Sequence, residues 1–219
     1  MKYYKITYTG SPKGESGESC RTLYNLDEAC QYCGTGARLI GSLVCRGLKN
    51  VTKDFFLTQD WDFLISEKFF TFLSLRGALL GDLKKVTNSK KEELPYYHLY
   101  TEFSLPKSLQ SSEGLLIDRQ CTKCKRNGYF NDHKIIKTPD HITTEAIPLK
   151  LKYDLSIKES MGSSDLFRTW EHFGLSNIKN EGIKVIRYAR PLLVVSERLK
   201  SYFSEFGIKQ TEFEEILFM

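Results

Sequence analysis

The chain has 219 residues, 41% hydrophobic and 27% charged, enough for a sizeable folded core and unlike a largely disordered chain. Its net charge of +5 is scattered, with clusters only around Lys84–Lys91 and Lys123–Arg126, so charge alone selects no nucleic acid or acidic partner. No apolar run has the length of a signal-peptide core or a membrane span, so the expected compartment is the cytoplasm, where six cysteines stay reduced.

The first stretch, KYYKITY, alternates like a half-buried strand and runs into a Gly/Ser-rich loop. NLDEACQYCGTGARLIG then places a Cys-x-x-Cys-Gly knuckle among glycines suited to tight turns. DFFLTQDWDFLIS is mostly apolar and leads into FLISEKFFTFLSLRG, which returns 130 residues later as LVVSERLKSYFSEFG. Ser66 falls on Ser196, Glu67 on Glu197, Phe69 on Leu199, Phe72 on Tyr202, Leu73 on Phe203 and Gly77 on Gly207.

Each copy reads as a short apolar strand, a serine N-cap, an amphipathic helix and a left-handed glycine stop, followed by further strand. Neither serine has the surrounding glycines or a nearby histidine that a nucleophile requires, so the repeat is architecture. Between the copies, VTNSKKEELP reads as an exposed loop and YYHLYTEFSL as a strand ending at Pro106. HITTEAIPLKLKYDLSI is strand-like, and SSDLFRTWEHFG has helix spacing at Leu166, Phe167, Trp170 and Phe173.

The second knuckle is Cys121-Thr-Lys-Cys124. Two Cys-x-x-Cys turns can aim four thiolates at one tetrahedral zinc ion, although a whole repeat copy separates these pairs. Four thiolates leave no open position for water, so Cys30, Cys33, Cys121 and Cys124 are expected to hold one structural Zn2+ per chain. His133 is the only other plausible ligand, nine residues past Cys124; Cys20 is placed in a polar loop and Cys45 in the core. The expected fold is α+β: two related strand–helix–strand units around a mixed β-sheet, with a zinc-ribbon-like CxxC…CxxC element. Residues 1–92 hold the first knuckle and first repeat copy, and 93–219 hold the second of each, in one compact body.

The two knuckles and the LLVVSERLKSYFSEFGIKQTEFEEI tail resemble the double-CxxCG motif proteins, a paralogous myxobacterial type, and are similar to immunity proteins of bacterial polymorphic toxin systems. Lys125 departs from that pattern by standing where the second CxxCG would have glycine. The resemblance implies a small bacterial cytoplasmic protein, not an enzyme, that binds and neutralises a cognate protein toxin by occluding its active surface. No phosphate loop, nucleotide fingerprint or acid–base pair argues for catalysis. The alternative is a zinc-ribbon nucleic-acid-binding protein, with Lys123, Lys125 and Arg126 meeting phosphates and Tyr129 and Phe130 stacking a base.

Overall fold

The computed structural model describes residues 1–137, 142–176 and 189–219. His141 lies outside them. In chain order, β1 (Tyr3–Tyr8) is followed by β2 (Glu15–Ser16), a 3-10 turn (Gly17–Cys20), β3 (Leu23–Asn25), β4 (Arg38–Ile40) and β5 (Cys45–Arg46). A hairpin of β6 (Phe55–Leu57) and β7 (Phe63–Ser66) runs into α1 (Glu67–Leu75), and β8 (Lys85–Thr87) pairs with β9 (Glu93–His98). Then come β10 (Leu115–Ile117), β11 (Tyr129–Asn131), β12 (His133–Lys137), β13 (Ile142–Ala146), β14 (Lys152–Tyr153) and α2 (Leu155–Ser160). The last elements are β15 (Leu166–Phe173), β16 (Arg190–Ser196), α3 (Glu197–Phe206), β17 (Thr211–Glu215) and β18 (Leu217–Phe218).

The fold is therefore mixed α+β and mostly strand. A six-stranded sheet runs β10-β11-β15-β16-β1-β17, and a four-stranded sheet runs β6-β7-β9-β8. In the larger sheet β11 and β15 are parallel, and the neighbouring pairs are antiparallel. The boundary at residue 92 falls between β8 and β9, which are hydrogen-bonded neighbours.

Both faces of the larger sheet are covered. Tyr4, Leu166 and Val195 join one core with Phe69, Leu73, Leu199 and Phe203 from the two long helices. Tyr3, Phe167 and Val194 join a second core with Leu151, Tyr153 and Ile216. Successive residues of one strand thus enter different cores, the expected consequence of side chains that alternate between sheet faces.

That double burial corrects one expectation. Leu166–Phe173 is a strand, not a helix. Buried on both faces, with Arg168, Thr169, Glu171 and His172 among its buried residues, β15 lacks the in–out polar alternation that announces a half-exposed strand, and its apolar residues imitate helix spacing. A second correction lies at Leu155–Ser160, where the Asp154 side chain accepts the Ser156 N–H at 2.9 Å and starts a helix in place of a continued strand. The sequence VTNSKKEELP is a β-hairpin turn with buried Val86, not simply a loop.

Both long helices are capped as their sequences require. Ser66 Oγ accepts the Phe69 N–H and Ser196 Oγ accepts the Leu199 N–H, each at 3.1 Å. Gly207 takes φ 88° after α3; Gly77 takes φ 70°, one residue beyond the Arg76 cap of α1. The helices meet through aromatic rings: Phe69 and Phe203 lie 5.0 Å apart, edge to face, and Phe69 and Phe206 lie 4.7 Å apart. Among the described residues no helix is long and apolar enough to cross a membrane.

Candidate metal centre

Each Cys-x-x-Cys pair occupies the loop between two antiparallel strands, β3–β4 as a separate two-stranded sheet and β10–β11 at the edge of the six-stranded one. Cys30 and Cys33 lie between β3 and β4, which pair from Leu23↔Ile40 to Asn25↔Arg38. Cys121 and Cys124 lie between β10 and β11, which pair from Leu115↔Asn131 to Ile117↔Tyr129. The strand pairs hold the two loops; backbone turns then aim the sulfurs.

The two turns are built alike. Gly34 N–H donates to the Cys30 carbonyl at 2.7 Å, and Lys125 N–H donates to the Cys121 carbonyl at 3.0 Å. Both residues are left-handed, with φ 71° at Gly34 and 54° at Lys125. Lysine therefore adopts the backbone conformation that glycine takes without steric cost, about 1–2 kcal/mol less favourably. Its departure from the expected pattern changes the turn's strain and leaves its shape intact. Gly128 has no such latitude: at φ 76°, an added Cβ would stand 2.4 Å from the Asp118 carbonyl oxygen.

The four sulfurs lie within 4.8 Å of one another. Cys30 Sγ is 3.9 Å from Cys121 Sγ, and Cys33 Sγ is 3.5 Å from Cys124 Sγ. A tetrahedral ion with metal–sulfur bonds of about 2.3 Å sets its sulfurs about 3.8 Å apart, so the spacing fits a metal ion. The structure thus brings together all four predicted cysteines across 91 residues of chain. His133 is exposed at the start of β12 and is outside this group. Cys20 and Cys45 are outside it too: Cys20 is buried in the 3-10 turn with Arg46 Nε 3.3 Å from its sulfur, and Cys45 is fully buried.

The surroundings favour unequal thiols. Burial opposes ionisation of Cys121, but the backbone N–H groups of Cys124 and Lys123 outweigh it and draw the thiol down to about 7. Burial pushes Cys124 up to about 12 and also raises Cys33. A bound cation favours the thiolate form of all its ligands, so proton release accompanies binding.

Supporting residues were not legible as ligand-site residues in the sequence. Thr35 Oγ1 lies 3.1 Å from Cys33 Sγ and 3.0 Å from Ser176 Oγ. Asn127 is buried, and its Oδ1 accepts the Cys121 N–H at 2.8 Å. The Asn127-Gly128 dipeptide is the one signal that could have marked this turn. Arg168, buried on β15, has no local sequence signal either, because helix spacing over its segment hides the strand that buries it. No protein-family model and no curated protein matches the sequence.

Proposed function

We propose that this chain is a zinc-clamped binding protein and that it neutralises a cognate toxin by covering its active surface. The observation that carries the binding-protein reading is the closed set of four sulfurs within 4.8 Å. Soft thiolates at tetrahedral spacing suit zinc, and four of them leave no coordination position for substrate or water. In this reading the two strand pairs form a zinc-ribbon-like element whose metal joins the early chain to its middle.

The toxin reading is supported by the double-CxxCG resemblance and by exposed apolar side chains near the first knuckle. Leu23 and Ile40 are cross-strand neighbours on β3 and β4, both exposed, and Leu26 and Tyr32 are exposed in the intervening loop. An apolar group of this kind suits the centre of a protein contact better than a solvent face. The nucleic-acid reading has weaker support. Tyr129 is 2% exposed within β11, so it offers no face on which a base could stack.

Two measurements separate the parts of this proposal. Elemental analysis after chelator-free purification should find one zinc per chain, with both zinc and thermal stability lost in Cys30→Ser or Cys121→Ser. A metal-free protein with wild-type stability would remove the clamp. Co-expression with the toxin domain encoded by a neighbouring reading frame should restore growth and yield a co-purified complex. Leu23→Asp with Ile40→Asp should lose that complex while retaining zinc. Failure of the wild-type chain to bind or protect would end the toxin reading and leave the metal centre standing.

A further inference from the structure

A cavity of about 70 Å3 has Trp61, His98, Tyr100, Arg168, His172 and Arg190 among its lining residues. Its polar groups are unevenly paired. Arg190 contacts both carboxylate oxygens of Glu18, at 3.1 and 2.9 Å, and lies 3.4 Å from Asp62. Asp62 also accepts Ser16 Oγ–H at 2.7 Å. Lys5, another buried cation, has Glu214 at 2.9 Å.

Arg168 differs. It is 8% exposed, and among the described residues no carboxylate lies within ion-pair distance of it. A guanidinium offers five donors. Arg168 uses one on Tyr100, whose hydroxyl accepts from Nη1 at 2.8 Å, and its Nε is buried without a partner. The Tyr100 ring lies 5.5 Å from the guanidinium carbon. His98, stacked on the same ring, also carries a buried Nδ1 without a partner. Buried charge without an opposite charge is costly, and such groups are normally paired. His172 registers the same field: burial first, then the positive charges of Arg126, Arg168 and Arg190, hold it neutral well below the ordinary histidine range.

Trp61 supplies an independent sign. It closes the β6–β7 turn, in which Thr58 N–H donates to the Asp62 carbonyl and Trp61 N–H donates to the Thr58 carbonyl. Its φ is 68°, a conformation suited to glycine or asparagine, yet the residue is tryptophan with 67% of its surface exposed. The turn's backbone hydrogen bonds hold that conformation and leave the indole exposed at the cavity's rim, where it can meet a ligand.

We propose that the cavity is an oxyanion site in which Arg168 binds a carboxylate or a small inorganic oxyanion, with Trp61 at its rim. The volume admits a carboxylate or phosphate head. The engaged state of Asp62 and Glu18 leaves Arg168 as the lining arginine without a carboxylate among the described residues. This inference rests on neither zinc occupancy nor the identity of a protein partner.

The test titrates the full chain, purified with its metal, with sodium phosphate and separately with N-acetylglutamate amide. Sodium chloride at matched ionic strength is the reference, and tryptophan fluorescence and thermal midpoint are both followed. We expect a saturable response beyond chloride in at least one arm. Phosphate alone would identify a free oxyanion ligand; the glutamate derivative alone would identify an acidic side chain of a partner. Trp61→Phe should lose the fluorescence change and keep the thermal shift. Arg168→Lys, which keeps charge without the planar fork, should bind at least about tenfold more weakly, and Arg168→Gln should not respond. Should either variant fail to fold, the Arg168 Nε–H resonance of the wild-type chain provides the test and should move on titration. No saturable response beyond chloride, an undiminished response in a folded Arg168→Gln chain, or an unmoved Nε–H resonance would overturn the proposal.

Discussion

The two hairpin–helix segments use one local design for different amounts of work. Ser66 and Ser196 each cap a helix, and each hydroxyl donates to an aspartate at the far end of the paired strand, Asp54 or Asp165. The backbone repeats the contact: Ser66 N–H donates to the Asp54 carbonyl at 2.9 Å and Ser196 N–H to the Asp165 carbonyl at 3.0 Å. The difference is burial. Asp54 is half-buried, whereas Asp165 is fully buried and also accepts Leu79 N–H at 2.8 Å and the Arg198 guanidinium. Because Leu79 follows α1, Asp165 fastens the second segment to the first. The same motif is a cap in one place and a junction in the other.

Removing the two carboxylates breaks this comparison most directly. Asp165→Ala strands Arg198 and the Leu79 N–H and should cost about 3–5 kcal/mol. Asp54→Ala loses one hydrogen bond in a half-buried setting and should cost about 1 kcal/mol. Urea unfolding of both variants measures the contrast; equal losses would mean that the junction carries no more than the cap.

Acid should separate the segments next. In the second, β15 carries His172, which burial and the neighbouring Arg126, Arg168 and Arg190 depress to about 3. Its counterpart β6 is Phe55-Phe56-Leu57, with nothing to titrate. Between pH about 6.5 and 3 the unfolded chain binds a proton at this histidine that the folded chain refuses. Stability is therefore lost as pH falls through that window, by about 1.4 kcal/mol per unit, and the penalty is absent above it. Urea midpoints at pH 7, 6 and 5 should decline less steeply in His172→Gln than in the wild type. Parallel slopes would place the acid sensitivity elsewhere, including at the thiolates.

The caps themselves come next. Ser196→Ala should cost about 1–2 kcal/mol, since it also removes a buried hydroxyl from Asp165, and Ser66→Ala about 1 kcal/mol. Thermal midpoints of the two variants should keep that order.

Much of the second half of each segment was legible, because strand, capping serine, helix and glycine are contiguous and each residue type has a local reason. The first half was not. Asp54-Phe-Phe-Leu-Thr58 and Asp165-Leu-Phe-Arg-Thr169 occupy matching places, but Asp54 precedes its serine by 12 residues and Asp165 by 31. An ungapped comparison cannot cross that difference. The third strand is more deeply hidden. Tyr96-Tyr97 pairs with Ser66-Ile65, and Tyr3-Tyr4 pairs with Ser196-Val195, so β9 and β1 hold equivalent places at distant points in the chain. The sheet orders β6-β7-β9-β8 and β15-β16-β1-β17 then correspond strand for strand. The cysteines were legible because a thiol pair at ligand spacing has few other uses; Thr35, Asn127 and Arg168 were not, since such residues acquire a role only from what the fold places beside them.

The smallest contrast tests whether burial or sequence likeness decides what a repeated residue does. Lys68 and Arg198 occupy the same position after their serines, and both are basic. Arg198 reaches the buried Asp165, with Nε 3.1 Å from Oδ1. Lys68 instead lies with its ammonium 5.8 Å from the Phe206 ring centroid, on the outside of the helix pair. Arg198→Ala takes a donor from a carboxylate that cannot turn to water, although Ser196 and Leu79 still hold it, and should cost about 1 kcal/mol. Lys68→Ala gives up an exposed cation–π contact and should stay within about 0.5 kcal/mol of the wild type. If Lys68→Ala proved as damaging as Arg198→Ala, the two basic residues would be doing the same work through the helix alone, and the buried aspartate would not be the source of the asymmetry.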